Sequence, residues 1–175
     1  ATMPIRRRST PRPALRHVAF LETMASSAAG EPQHQAAQVA FLALRLLDQR
    51  IVFGAQVTAP ASQSLASTRE EIARLEVDAE LRDVLKAMVE AIAGMPNGDA
   101  LPALSPLFTL GLLLEARGHH AQAGDVFLTV ARLTDAEAHL DLAYESQMRA
   151  GACLLRSGDR DWADKAFALA AQLAT

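Results

Sequence analysis

The sequence predicts an all-α protein. Ala and Leu, the strongest helix formers among apolar residues, dominate a chain in which aromatics make up only 5%. β-Branched residues are scattered and never alternate as a strand would require. Apolar positions recur instead at three and four residues, broken by Gly, Pro and an Asn97-Gly98 turn. About seven helices in antiparallel hairpins account for the pattern, with 175 residues sufficient for one compact domain.

Residues 1–12 read as an extended arm, because Pro4, Pro11 and Pro13 oppose a helix. A first helix is expected from Pro13 to Ala28 and a second from Pro32 to Val52. Val39, Phe41, Leu42, Leu44, Leu46 and Leu47 encircle the second, which marks a central, buried helix. The Ala/Ser/Thr/Gln-rich stretch Gly54–Ala66 reads as a loop. Ser67 with Glu70, or Thr68 with Glu71, has capping-box spacing and opens a single helix to Ala93, stopped by Gly94. Met95–Pro102 is expected as a turn, after which Ser105 caps and Pro106 starts a helix ending at Gly118. The next runs from His120 to Leu133. Thr134 and Glu137 suggest a capping box opening a helix to Ser157, and Asp159 caps the last, to Leu173.

Charge is unevenly placed. Residues 1–17 hold Arg6, Arg7, Arg8, Arg12 and Arg16 and no acid, although the whole chain carries a net charge of −3. Such an arm suits an acidic protein, a nucleic acid or an anionic membrane, and equally a solubilising terminus or contact with the acidic body. Cys153 is the only cysteine, so no internal disulfide or thiolate cluster can form. A reducing, cytoplasmic setting is the expectation. The longest apolar run, Leu107–Leu114, is far short of a membrane span.

The C-terminal half repeats itself. Gly111, Leu114, Gly118, Ala123, Phe127 and Ala131 recur 40 residues later as Gly151, Leu154, Gly158, Ala163, Phe167 and Ala171. Close helix crossing needs the missing side chain of Gly or Ala, and a Phe four residues after the Ala fills the groove beside it. This pattern resembles the tetratricopeptide repeat, a helix–turn–helix unit that stacks into arrays. The resemblance assigns Gly111 and Gly151 to the mid-helix small position, Gly118 and Gly158 to the turn, and Ala123/Phe127 and Ala163/Phe167 to the returning helix. It covers residues 104–174 and departs from the family in its spacing, 40 against about 34 residues. Leu107 and Gln147 also stand where an aromatic is usual, and Asp135 where a closing Pro is. Two units fall short of a self-sufficient array, so the helices of residues 13–93 are expected to pack against and cap them within one domain, 13–175.

The resemblance implies a partner-binding face on the first helix of each unit: Phe108, Leu112 and Glu115, then Met148, Arg149, Ala152, Leu155 and Arg156. That face is mainly apolar and suits a helix, an extended peptide or a neighbouring subunit, unless the N-terminal helices cover it. The adjacent His119-His120 lacks a nearby third ligand and reads as structural. Cys153, among apolar neighbours, reads as core. The acids of residues 70–83 spread over a solvated helix face beside Arg69, Arg74 and Arg82, and Trp162 reads as packing. Neither a phosphate loop nor a zinc or calcium signature occurs. The expected function is therefore a non-catalytic interaction or scaffold module without a cofactor, bound to another protein or subunit and compatible with oligomerisation. The alternative is a nucleic-acid-associated regulator that uses its basic arm.

Overall fold

A computed structural model describes residues 35–40, 42–44, 59–94 and 101–175. The basic arm with Arg6, Arg7, Arg8 and Arg12, the helix expected over 13–28, and most of the one expected over 32–52 lie outside the described residues. Every regular element within them is helical. A helical segment covers 35–40 and 42–44. Six bounded helices follow: α1 (Ala59–Arg74), α2 (Ala79–Ala93), α3 (Leu101–Ala116), α4 (His120–Leu133), α5 (Leu140–Arg156) and α6 (Arg160–Leu173). Each packs on the next, α1 on α2 through to α5 on α6, which gives an array of helical hairpins.

One cluster of buried side chains runs from Ala36 to Ala166. Val39, Leu42 and Leu44 are buried, in keeping with an apolar circumference around their segment. The described central helix is α3. Leu104, Leu107, Leu110 and Leu114 are buried on one side, while Phe108, Leu112 and Leu113 pack against the same core from another.

Four expected boundaries move, each for a local reason. The single helix expected from Thr68 to Ala93 is two, separated by residues 75–78. Asp78 caps α2, its carboxylate accepting from the Leu81 amide at 3.1 Å. The Arg82 guanidinium donates to the carbonyls of Leu75 at 2.6 Å and Val77 at 3.4 Å, which stabilises the break. Residues 59–66, expected in a loop, form the first half of α1, with Pro60 in the first turn where a backbone donor is not needed. Neither Ser67 nor Thr68 therefore caps anything: both lie inside the helix. In α3 the start moves back to Leu101, so Pro102 occupies the first turn and Pro106 lies inside the helix. Lastly, Thr134 does not open α5. Its hydroxyl donates back to the Val130 carbonyl at 2.6 Å and it closes α4, while α5 begins after His139.

The repeat is visible in the backbone. Gly118 and Gly158 adopt φ of 80° and 88°, the left-handed region that favours glycine. Each ends its helix with the same pair of bonds. His119 N–H reaches Leu114 O at 2.9 Å and Gly118 N–H reaches Glu115 O at 3.0 Å. Asp159 N–H reaches Leu154 O at 2.9 Å and Gly158 N–H reaches Leu155 O at 3.1 Å. Both are Schellman motifs.

Side chains lock the hairpins. A Cβ placed on Gly111 would lie 2.7 Å from Cε1 of Phe127, and one on Gly151 would lie 2.6 Å from Cε1 of Phe167. Both distances are well inside van der Waals contact, so each Phe ring sits against bare helix backbone. A third notch joins the hairpins to each other. At Gly124 an added Cβ would meet Leu154 Cδ2 at 2.7 Å. Its equivalent 40 residues on is Asp164, which is exposed, so this notch belongs to the junction and not to the repeat.

Two stability effects follow, both readable by urea denaturation. Gly111→Ala is expected to destabilise by about 1–3 kcal/mol, because Phe127 is buried and cannot yield. Helix propensity alone predicts the opposite sign, a gain of about 1 kcal/mol. Gln147→Leu is expected to stabilise by about 1–2 kcal/mol, because the buried Gln147 Oε1 has no hydrogen-bond partner and the repeat places Leu107 at the equivalent position.

Candidate functional site

The residues singled out on the first helix of each hairpin divide into two groups. Phe108, Glu115 and Arg149 come together at the α3–α5 boundary. Arg149 extends from α5 to meet Glu115 Oε2 at 3.3 Å and Glu145 Oε1, one turn back, at 3.0 Å. Its guanidinium carbon lies 5.9 Å from the centre of the Phe108 ring. Phe108 in turn meets Phe127 edge-on, with ring centres 5.3 Å apart and planes at 65°. The ring that fills the Gly111 notch is thus linked, through Phe108, to the cation that bridges the two hairpins. Burial alone would lower the Arg149 pKa. The hydrogen bonds and charges of Glu145 and Glu115 outweigh it and hold that pKa above its ordinary value. Phe108 and Leu112 are half-buried and belong chiefly to the packing.

The second group faces water. Met148, Leu155 and Arg156 are exposed, as are Leu140 and Tyr144, which the sequence reading did not single out. Exposures of 47% for Leu140, 40% for Tyr144, 38% for Met148 and 49% for Leu155 describe one row along α5. The signal was present in the spacing: 140, 144 and 148 are each one turn apart, and 155 is two turns beyond. A helix opened by a cap at Thr134 would begin five residues before the observed start at Leu140, which obscures where its outer face begins. The row is about 22 Å long at 1.5 Å per residue. Glu145 and Arg149 flank it on one side, and Asp141 and Arg156 mark its two ends.

The remaining candidates serve the fold. Cys153 is fully buried on the inner side of α5. Burial, then the adjacent Glu115 carboxylate, pushes its thiol up to about 12, so it remains protonated near neutrality. His119 is partly buried at the start of α4. Burial, with help from Arg117 and His120, lowers its pKa. Trp162 sits in the first turn of α6 with the Lys165 ammonium 4.5 Å from its ring centre. Arg117 bridges from the end of α3 to Asp78 and Glu80 at the start of α2, both at 3.0 Å, and holds the cap of that helix in place. Among the described residues no three His, Cys, Asp or Glu side chains form a group able to hold a metal ion. Nor, among them, is any helix long and apolar enough to cross a membrane.

No family model, no curated protein and no solved structure matches this chain.

The raised thiol pKa has a measurable consequence. Above the ordinary Cys value of 9.0 the unfolded thiol ionises while the folded one does not. The stabilisation is complete below that pH and declines as pH rises from about 9 towards about 12. Denaturation of the wild type and Cys153→Ala at several pH values is expected to show this extra alkaline loss in the wild type alone. Thiol reagents are expected to label Cys153 only after unfolding.

Proposed function

We propose that this chain is a protein–protein interaction or assembly module with two tetratricopeptide-like hairpins. Its binding face is the outer side of α5, and it takes a peptide or a neighbouring subunit. The observation that carries the reading is the row Leu140, Tyr144, Met148 and Leu155, which places on one helix four of the five exposed large apolar side chains among the described residues, the fifth being Leu169 on α6. A contiguous exposed apolar strip on a rigid element is the usual form of a protein-docking surface.

Three further features support it. The glycine notches at Gly124 and Gly151 hold α5 firmly from both sides, so its outer face is preorganised and loses little entropy on binding. Arg149, braced by Glu115 and Glu145, places an oriented cation beside the row, next to the half-buried Phe108 and Leu112. Tyr and Arg next to apolar anchors are typical of binding hot spots. The proposal assigns the face to binding and not to catalysis: the single thiol is buried and protonated near neutrality, and the Tyr144 phenol is the one proton-bearing group in an otherwise aliphatic row. A cytoplasmic setting belongs to the same proposal and rests on the single unpaired cysteine of the sequence.

Immobilised chain incubated with lysate of its natural host tests the reading. Wild type is expected to retain one defined protein, and the Met148→Glu/Leu155→Glu variant to lose it while keeping the same helical circular dichroism. Equal retention by the two proteins would exclude the α5 face as the binding surface.

A further inference from the structure

We propose that the α5 face binds a second copy of this chain, with the two α5 helices antiparallel across a two-fold axis at Met148. The proposal deepens the preceding reading and rests on its assignment of the face; the charge pattern along the helix names the occupant.

The apolar row ends in opposite charges. Asp141 lies at its N-terminal end and Arg156 at its C-terminal end. Both are exposed, and among the described residues neither is in an ion pair. With Met148 on the axis, an antiparallel copy sets Tyr144 level with Ala152 of the second copy, and the end pair Leu140 and Asp141 level with its Arg156 and Leu155. One residue of axial offset, about 1.5 Å, then lets Leu140 reach Leu155 and Asp141 reach Arg156 of the second copy, and the symmetry repeats both pairs at the other end. Every apolar member of the row thus meets an apolar residue, and both end charges are matched. A parallel pairing would instead oppose Asp141 to Asp141 and Arg156 to Arg156. The face is therefore self-complementary in one direction only, the property a two-fold interface demands. Antiparallel helix dipoles favour the same direction. An unrelated peptide partner places no such requirement on where the two charges stand. Glu145 and Arg149 already satisfy each other and Glu115 within the chain, so they border the contact and do not compete with the end pairs.

The test is the mass of the full chain by sedimentation equilibrium at submillimolar concentration. Twice the 18.7 kDa of one chain is expected for the wild type. Met148→Glu, which sets two carboxylates together on the axis, is expected to raise the dissociation constant more than about a hundredfold. Asp141→Arg and Arg156→Asp are each expected to weaken the dimer, and the double exchange to restore it, which no folding defect can mimic. A monomeric wild type, a dimer indifferent to Met148→Glu, or a double exchange that fails to restore pairing overturns the proposal. A monomer that still loses a captured partner on Met148→Glu overturns the self-pairing while leaving the binding face in place. Indifference of both dimerisation and capture to that substitution removes the face itself.

Discussion

The structure depends on three places where a helix backbone is left bare so that a neighbour's side chain can press into it. Phe127 enters the notch at Gly111, Leu154 that at Gly124, and Phe167 that at Gly151. These contacts set the spacing between α3 and α4, between α4 and α5, and between α5 and α6. A single methyl at any of them would fall inside van der Waals distance of the inserted group. Helix pairs of this kind pack most closely where side chains are missing, and close packing is what a chain with so few aromatics has in place of bulk.

From that constraint the candidate site follows. Helix α5 is gripped on two sides, by Leu154 directed into α4 and by the Phe167 ring of α6 lying on Gly151. Ala150, Cys153 and Leu154 supply its buried side. What remains is an outer face fixed in orientation by its inner contacts and braced by the Arg149 bridge to Glu115. Apolar side chains on such a face lose little freedom when covered, so burial of each converts more fully into affinity. The Arg149 guanidinium also lies over the Phe108 ring, and among the described residues the exposed large apolar side chains stand on α5, with Leu169 on α6, and none on α3.

Where local chemistry decides, the reading from residues and the structure agree. The stops at Gly94, Gly118 and Gly158, the cap at Asp159, and the pairing of Gly111 with Phe127 and Gly151 with Phe167 are all in place. They were legible because each is set by one or two residue types at fixed spacing. The misplacements have a common cause. Asp78 splits a helix that periodicity alone would continue, because a cap and the Arg82 bonds to Leu75 and Val77 outweigh propensity across residues 75–78. Thr134 has the spacing of a capping box with Glu137, yet its hydroxyl finds the Val130 carbonyl of the helix already formed behind it. In each case two local arrangements were available to the same residues, and short-range hydrogen bonds that spacing alone does not reveal selected one.

By itself, then, the sequence determined the helical class, the 40-residue repeat, and the two glycine–phenylalanine locks inside the hairpins, because propensity, chirality and the volume of a side chain act over a few residues. Only the tertiary structure decided that Gly124 receives Leu154, that Phe108 and Leu112 are largely used in packing, and that Leu140 and Tyr144 join Met148 and Leu155 in the open. Those outcomes depend on which helix lies against which. Burial is a property of a residue's neighbours in space, and an apolar stripe looks the same in a sequence whether another helix covers it or water does.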